Sequence, residues 1–122
     1  MNNLVNYKDE DVYASITIAN GKANAISHEV INQLNDALDK AQAEKKVVIL
    51  TGQQGILSAG YDLKVMKEGP NAAKTLVAAG SKLALKMLSF PLPIIAACNG
   101  HAVAKGAFLL LSCDYRIGVE GD

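Results

Sequence analysis

A chain of 122 residues, half of them apolar and 20% charged, has the length and composition of one globular domain built on one core. Twelve basic side chains balance twelve acidic ones, so no net field draws the molecule to nucleic acid or to an anionic membrane, and neither is expected as a partner. Cys98 and Cys113 each sit in an apolar stretch and read as reduced, buried thiols, which excludes a disulfide framework or zinc cluster and points to the cytoplasm. No basic-then-apolar leader opens the chain, and no apolar run approaches the ~18 residues of a membrane span.

Residues 12–18 alternate apolar Val12, Ala14, Ile16 and Ile18 with more polar neighbours, the pattern of a half-buried strand. Asn20-Gly21 predicts a turn. Ser27 is placed to cap a helix with Glu29 in its first turn, and Val30, Ile31, Leu34, Leu38 and Ala41 recur at helical spacing to about Glu44, giving one apolar face. An exposed Asp36–Lys40 pair would add only ~0.3 kcal/mol, so packing holds this helix.

Residues 47–50 form a short apolar run stopped by Thr51-Gly52, which predicts a parallel strand buried on both faces. A long glycine-containing loop is expected next, then a helix over 72–88, apolar around most of its circumference and so in need of cover on several sides. Pro91 and Pro93 end it, residues 94–98 read as a second buried strand, and Asn99-Gly100 returns the chain to a loop. A short apolar helix through 107–111 and a third strand over 115–119 follow. Strand–helix alternation at this spacing predicts an α/β fold, with right-handed crossovers and a mainly parallel sheet covered by helices. No repeat, low-complexity tract or charge block interrupts it.

In such sheets ligands bind beyond the carboxyl ends of the strands, where loops 52–62 and 99–106 lie. Both are rich in small residues and both lead into helices, whose first N–H groups lack intrahelical partners. Two readings follow: two amides aimed at one oxygen, an oxyanion hole worth about 2.7–4 kcal/mol per donor where negative charge develops, or ordinary tight turns that pack helix on sheet.

The segments Lys22-Ala23-Asn24-Ala25-Ile26-Ser27, Leu57-Ser58-Ala59-Gly60-Tyr61-Asp62-Leu63 and Ile94-Ile95-Ala96-Ala97-Cys98-Asn99-Gly100-His101-Ala102, running on to Cys113-Asp114-Tyr115-Arg116-Ile117, together resemble the crotonase superfamily, the enoyl-CoA hydratase/isomerase family. The resemblance extends over essentially the whole chain and is specific in order and spacing, although each piece alone is weak. It implies a crotonase-like spiral of ββα units, in which residues 1–122 form the N-terminal part of an incomplete domain, since the family's catalytic unit is about twice as long. It also implies acyl-coenzyme A thioester substrates, with coenzyme A part of the substrate and no separate cofactor or metal, and assembly as trimers or dimers of trimers.

By the same resemblance the catalytic oxyanion donors are the backbone N–H groups of Tyr61 and Lys105. The substrate-binding residues are Lys22, a candidate phosphate contact, with Ala23, Ala25, Ser58, Ala59, Gly60, Asp62, Leu63, Gly106 and Phe108. Without the family, Lys22 is an exposed lysine in a turn. Hydratases of the family carry a glutamate in a Gly-Gly-Gly-x-Glu pattern at the position of Phe108, and phenylalanine moves no protons. Isomerases, which shift 3-enoyl-CoA to 2-enoyl-CoA, put an apolar residue there and rely on a second glutamate that would fall beyond Asp122. One base that returns its proton suffices for that shift, whereas hydration needs a positioned water; isomerase is therefore the expected reaction. A hydratase, another enolate-using enzyme and a non-catalytic acyl-CoA binder or assembly subunit are the alternatives, and Phe108 as plain core fits several of them.

Other candidates carry less. His101, near the proposed site and a candidate substrate contact, reads as a structural loop histidine, His28 lacks a partner at metal-ligand spacing, Asp62 and Asp114 read as structural acids beside their loops, and Lys105-Gly106-Ala107 lacks the Gly-Lys-Ser/Thr order of a phosphate loop.

Overall fold

The computed structural model describes residues 4–21, 24–53, 55–58, 60–97, 100–102 and 113–117. The alternation at the start becomes β2 (Tyr13–Ile18), with Ala14, Ile16 and Ile18 fully buried. Val12 falls outside it and is 75% exposed, because the chain reverses at Asp11, in a left-handed conformation, to pair with an unforeseen edge strand. That strand is β1 (Val5–Asp9), antiparallel to β2 with Val5 opposite Ile18. Lys46 ties the reversal down, its ammonium donating to the Asp9 carboxylate and the Asp11 carbonyl.

Helix α1 (His28–Ala43) begins as expected: Ser27 Oγ accepts the Val30 N–H at 3.2 Å, and Val30, Ile31, Leu34, Ala37, Leu38 and Ala41 form its buried face. Lys40 turns to the Tyr7 ring, 4.5 Å from its centroid, instead of to Asp36. The ring face is a better partner for a long side chain than an exposed carboxylate, since the stem packs while the charge stays wet.

β3 (Val47–Thr51) runs parallel to β2, and β5 (Ile94–Ala97) parallel to β3. Burial on both faces of β3 does not hold: Val48 and Leu50 are buried, while Val47, Ile49 and Thr51 are half-buried. The buried residues of β2, β3 and β5 form one core with the buried faces of α1 and of α3 (Pro70–Leu88); among the described residues that cover lies on one side of the sheet, which explains the alternation. The sheet order is β1-β2-β3-β5-β7, with β7 at Tyr115–Ile117, and is parallel except for β1.

Two further departures shape the site. Loop 52–62 contains a strand, β4 (Gly55–Ser58), and ends in the four-residue helix α2 (Leu63–Met66). The turn expected at Asn99-Gly100 leads into another strand, β6 (Gly100–Ala102), which pairs with β4 in parallel as a separate two-stranded sheet. β3 and β5 are thus each followed by a short strand of a second sheet, a repetition too brief for periodicity to reveal.

Helix α3 (Pro70–Leu88) starts two residues before the expected position, with Pro70 in its first turn where a missing N–H costs nothing. Its buried residues are Leu76, Gly80, Leu83 and Met87, a single stripe, whereas Val77, Leu85 and Leu88 are exposed; the cover expected on several sides is not found among the described residues. The expected helix at 107–111 lies outside the described residues.

β7 (Tyr115–Ile117) falls where the 115–119 strand is expected, and residues 118–119 lie outside the described residues. Asp114 precedes it in a structural role, its carboxylate accepting the Ile94 N–H at 2.7 Å while its own N–H donates to the Ile94 carbonyl at 2.8 Å. Beside it the Cys113 thiol is buried and is pushed up to about 12 by burial and by the Asp114 carboxylate, against the opposing pull of Arg116. At pH 8 the Cys113 peptide is therefore expected to resist iodoacetamide in the native protein and to react promptly in urea, as read by mass spectrometry. Because the folded value lies above the unfolded one, this thiol's stabilisation is intact below pH 9 and is lost as pH rises from there toward 12. Fast labelling of native protein would refute the buried placement.

Candidate functional site

The register places Thr51 beside Ala97, so β3 and β5 release their chains at one level of the sheet. β4 and β6 then hold the two departing segments side by side, Gly55 with Gly100, Ile56 with His101 and Ser58 with Ala102, with an irregularity between Ile56 and Ser58. The pairing of the two glycine-bearing segments is therefore built by backbone hydrogen bonds.

Three features lead the chain from β4 to Tyr61. Gly52 lets the β3–β4 turn close, because a Cβ there would lie 2.5 Å from the Ile56 carbonyl oxygen and 2.6 Å from that of Leu57. Ser58, fully buried, accepts the Gly60 N–H on Oγ at 3.1 Å. Gly60 has φ of +106°, a conformation closed to side chains bearing a Cβ.

Tyr61 then lies against the turn after β2. Ile26 donates its N–H to the Gly60 carbonyl at 2.7 Å and accepts the Asp62 N–H on its own carbonyl at 2.9 Å, so Ile26 and Tyr61 form a parallel bridge. In such a bridge the flanking residues make the bonds, and the middle residue's N–H and C=O lie on the opposite edge. The Tyr61 N–H is therefore directed away from Ile26. Asp62 accepts the Lys64 N–H at 2.9 Å and caps α2; Leu63 opens α2 and is exposed.

The side chain that joins these segments is Asn24, a fully buried residue in left-handed conformation. Its Nδ2 donates to the Ile18 carbonyl at 2.8 Å and the Leu57 carbonyl at 2.9 Å, and its Oδ1 accepts the Asn20 N–H at 2.6 Å. Asn20 in turn donates from Nδ2 to the Ala25 carbonyl at 2.8 Å. In the sequence Asn24 stands only as part of the Lys22–Ser27 family segment; its part in fastening β4 to the end of β2 depends on long-range contact. Beside it a cleft of about 370 Å³ is lined by Leu4, Asn20, Ser27, His28, Glu29, Asp62 and Val65.

The structure thus brings Ala25, Ser58, Gly60, Tyr61 and Asp62 into one region, with Leu63 at its rim. Lys22, Ala23, Ala59, Lys105, Gly106 and Phe108 lie outside the described residues. Among the described residues no group of three or more His, Cys, Asp or Glu side chains could hold a metal ion, and no helix is long and apolar enough to cross a membrane. The arrangement can present a backbone donor to a carbonyl oxygen or oxyanion.

Comparison with known proteins bears on which oxygen that is. A family model described as enoyl-CoA hydratase/isomerase matches residues 9–120. The chain is 33% identical over 122 residues to a probable enoyl-CoA hydratase of Bacillus subtilis, with 97% of this chain and 47% of that protein covered. It is 34% identical over 118 residues to the mitochondrial enoyl-CoA delta isomerase 1 of Rattus norvegicus, covering 93% and 41% respectively. Among solved structures, an enoyl-CoA hydratase/isomerase family protein from Pseudomonas syringae superposes with a TM-score of 0.96 at 62% identity, covering 98% of this chain and 52% of that one. The chain spans about half the length of the relatives it matches.

Proposed function

The chain belongs to the enoyl-CoA hydratase/isomerase family and has its α/β fold, and from that premise we propose that it supplies the oxyanion hole of an acyl-CoA isomerase, which converts 3-enoyl-CoA to 2-enoyl-CoA. The observation that carries this reading is the parallel bridge of Tyr61 to Ile26, whose bonds run through Gly60 and Asp62 and so direct the Tyr61 N–H away from Ile26. The Lys105 N–H is the second donor in the proposal. Together they hold the thioester oxygen while a base removes the α proton; the electron pair moves into the dienolate, and the proton returns at the γ carbon, so that the double bond passes from C3–C4 to C2–C3. Each donor contributes about 2.7–4 kcal/mol at the dienolate oxygen.

The base is a carboxylate outside residues 1–122. Phe108 keeps water from the α and β carbons, and Lys22, Ala23, Ala25, Ser58, Ala59, Gly60, Asp62, Leu63 and Gly106 line the way for coenzyme A, which is part of the substrate; no further cofactor is required. A cytoplasmic homotrimer or hexamer completes the proposal. Its support is the apolar residue at position 108 and the likeness to a delta isomerase; the likeness to a probable hydratase favours the second reading, hydration of 2-enoyl-CoA.

The test incubates the purified protein with 3-enoyl-CoA in deuterated water. Isomerisation yields 2-enoyl-CoA, with deuterium at the γ carbon to the extent that the proton on the base exchanges with solvent before it returns, and Phe108→Glu is expected to add a measurable hydratase activity. Hydration by the unaltered protein would transfer the assignment to hydratase, and binding with neither turnover nor exchange would leave an acyl-CoA binder.

A further inference from the structure

Helix α3 carries a glycine where helix formation disfavours one. Gly80 lies mid-helix and is buried, and only proline forms helix less readily. Its reason is spatial: a Cβ at Gly80 would run into Tyr61 Oη and come within 2.9 Å of Tyr61 Cε1 and Cζ. The phenol ring lies directly on the helix backbone, and Tyr61 Oη donates to the Val77 carbonyl one turn earlier at 3.5 Å. Burial raises the phenol's affinity for its proton, so it stays a donor.

Tyr61 is therefore held at two ends. Its backbone is clamped by Ile26 through Gly60 and Asp62, and its ring tip is seated on α3. With both ends set, the peptide plane between Gly60 and Tyr61 has little freedom to rotate, and that plane carries the N–H of the proposed oxyanion hole. We infer that Gly80 is a positioning residue, a notch in α3 that seats the Tyr61 ring and so aims the Tyr61 N–H. The inference rests on the oxyanion reading above. It makes the docking of α3 part of the catalytic geometry.

The test uses 4-dimethylaminocinnamoyl-CoA, an enoyl thioester whose visible band moves to the red when its carbonyl is polarised, with the dissociation constant measured alongside. Gly80→Ala and Tyr61→Ala are each expected to lose most of the wild-type red shift while binding the probe within about threefold of wild type. Gly80→Ala in the Tyr61→Ala background is expected to do nothing more, since no ring remains to displace. Where turnover is measured, Gly80→Ala lowers kcat by about ten- to a hundredfold with KM little changed, the consequence of a donor misplaced by a fraction of an ångström to an ångström. A glycine needed only for packing would lower Tm and leave the band in place.

A wild-type protein that binds the probe without a red shift overturns the oxyanion reading, and this inference with it. A wild-type shift retained in either single variant, or a further loss in the double variant, overturns the positioning role alone. If Gly80→Ala does not fold, Tyr61→Ala decides: a retained shift refutes the seat and a lost shift supports it.

Discussion

Gly52→Ala is expected to cost about 3 kcal/mol or more and to remove ligand binding even where the fold survives. The added Cβ would sit 2.5 Å from the Ile56 carbonyl oxygen, 2.6 Å from the Leu57 carbonyl oxygen and 2.7 Å from Leu57 Cα. All three are backbone atoms, so no rotamer change relieves the overlap; the turn between β3 and β4 has to open. Overpacking relieved by side-chain movement costs about 1–3 kcal/mol, and a backbone-to-backbone clash belongs at or above that range. Opening the turn moves β4 away from β6 and takes Ser58, Gly60 and Tyr61 with it. Urea denaturation gives the stability change, and titration with an acyl-CoA gives the functional one. A loss below about 1 kcal/mol with binding intact would show that the turn closes less tightly than described.

The second large effect is expected at Asn24. Asn24→Ala removes the donor to the Ile18 and Leu57 carbonyls and the acceptor for the Asn20 N–H. Each buried group left without its partner costs about 1–3 kcal/mol, and alanine tolerates the left-handed conformation at φ of +50° less well than asparagine does. Water entering the gap recovers part of this, so the expected net loss is about 3 kcal/mol, measured by urea denaturation. Asn24→Asp is expected to be at least as costly, because it points carboxylate oxygen at two carbonyl oxygens. Stability within about 0.5 kcal/mol of wild type for Asn24→Ala would refute its role as the fastening between β2 and β4.

Both residues show where reading a sequence stops. Gly52 is legible as a strand terminator, but its need for close approach comes from Ile56 and Leu57 crossing over it. Asn24 stands in the sequence only as one member of the Lys22–Ser27 family segment, because hydrogen bonds reaching from residue 24 to residue 57 leave no trace in local pattern. Gly80 carries no signal in the sequence reading, and the Tyr61 ring against it is seen only in the fold.

Periodicity succeeded where one face meets one core. Residues 28–43 carry their buried positions at helical spacing and a serine where the first free N–H groups need an acceptor, and both hold. It failed for β1, whose Val5–Asp9 run is polar and half-exposed because an edge strand has one neighbour and little core to meet. It failed again for β4 and β6, which at four and three residues are shorter than any pattern can be distinguished from a glycine loop.

Local pattern thus determined the α/β class, the capped helix α1, the parallel strands β3 and β5, and the loops that follow them, because these depend on which side chains repeat at 2 or 3.6 residues. Family motifs, specific in order and spacing, determined the expected chemistry. Tertiary structure alone decided that the two loops pair as β4 and β6, that Asn24 fastens one of them to the end of β2, and that Tyr61 lies between Ile26 and Gly80. These are contacts between residues far apart in the chain, set by how closely backbones can approach and where buried polar groups find partners.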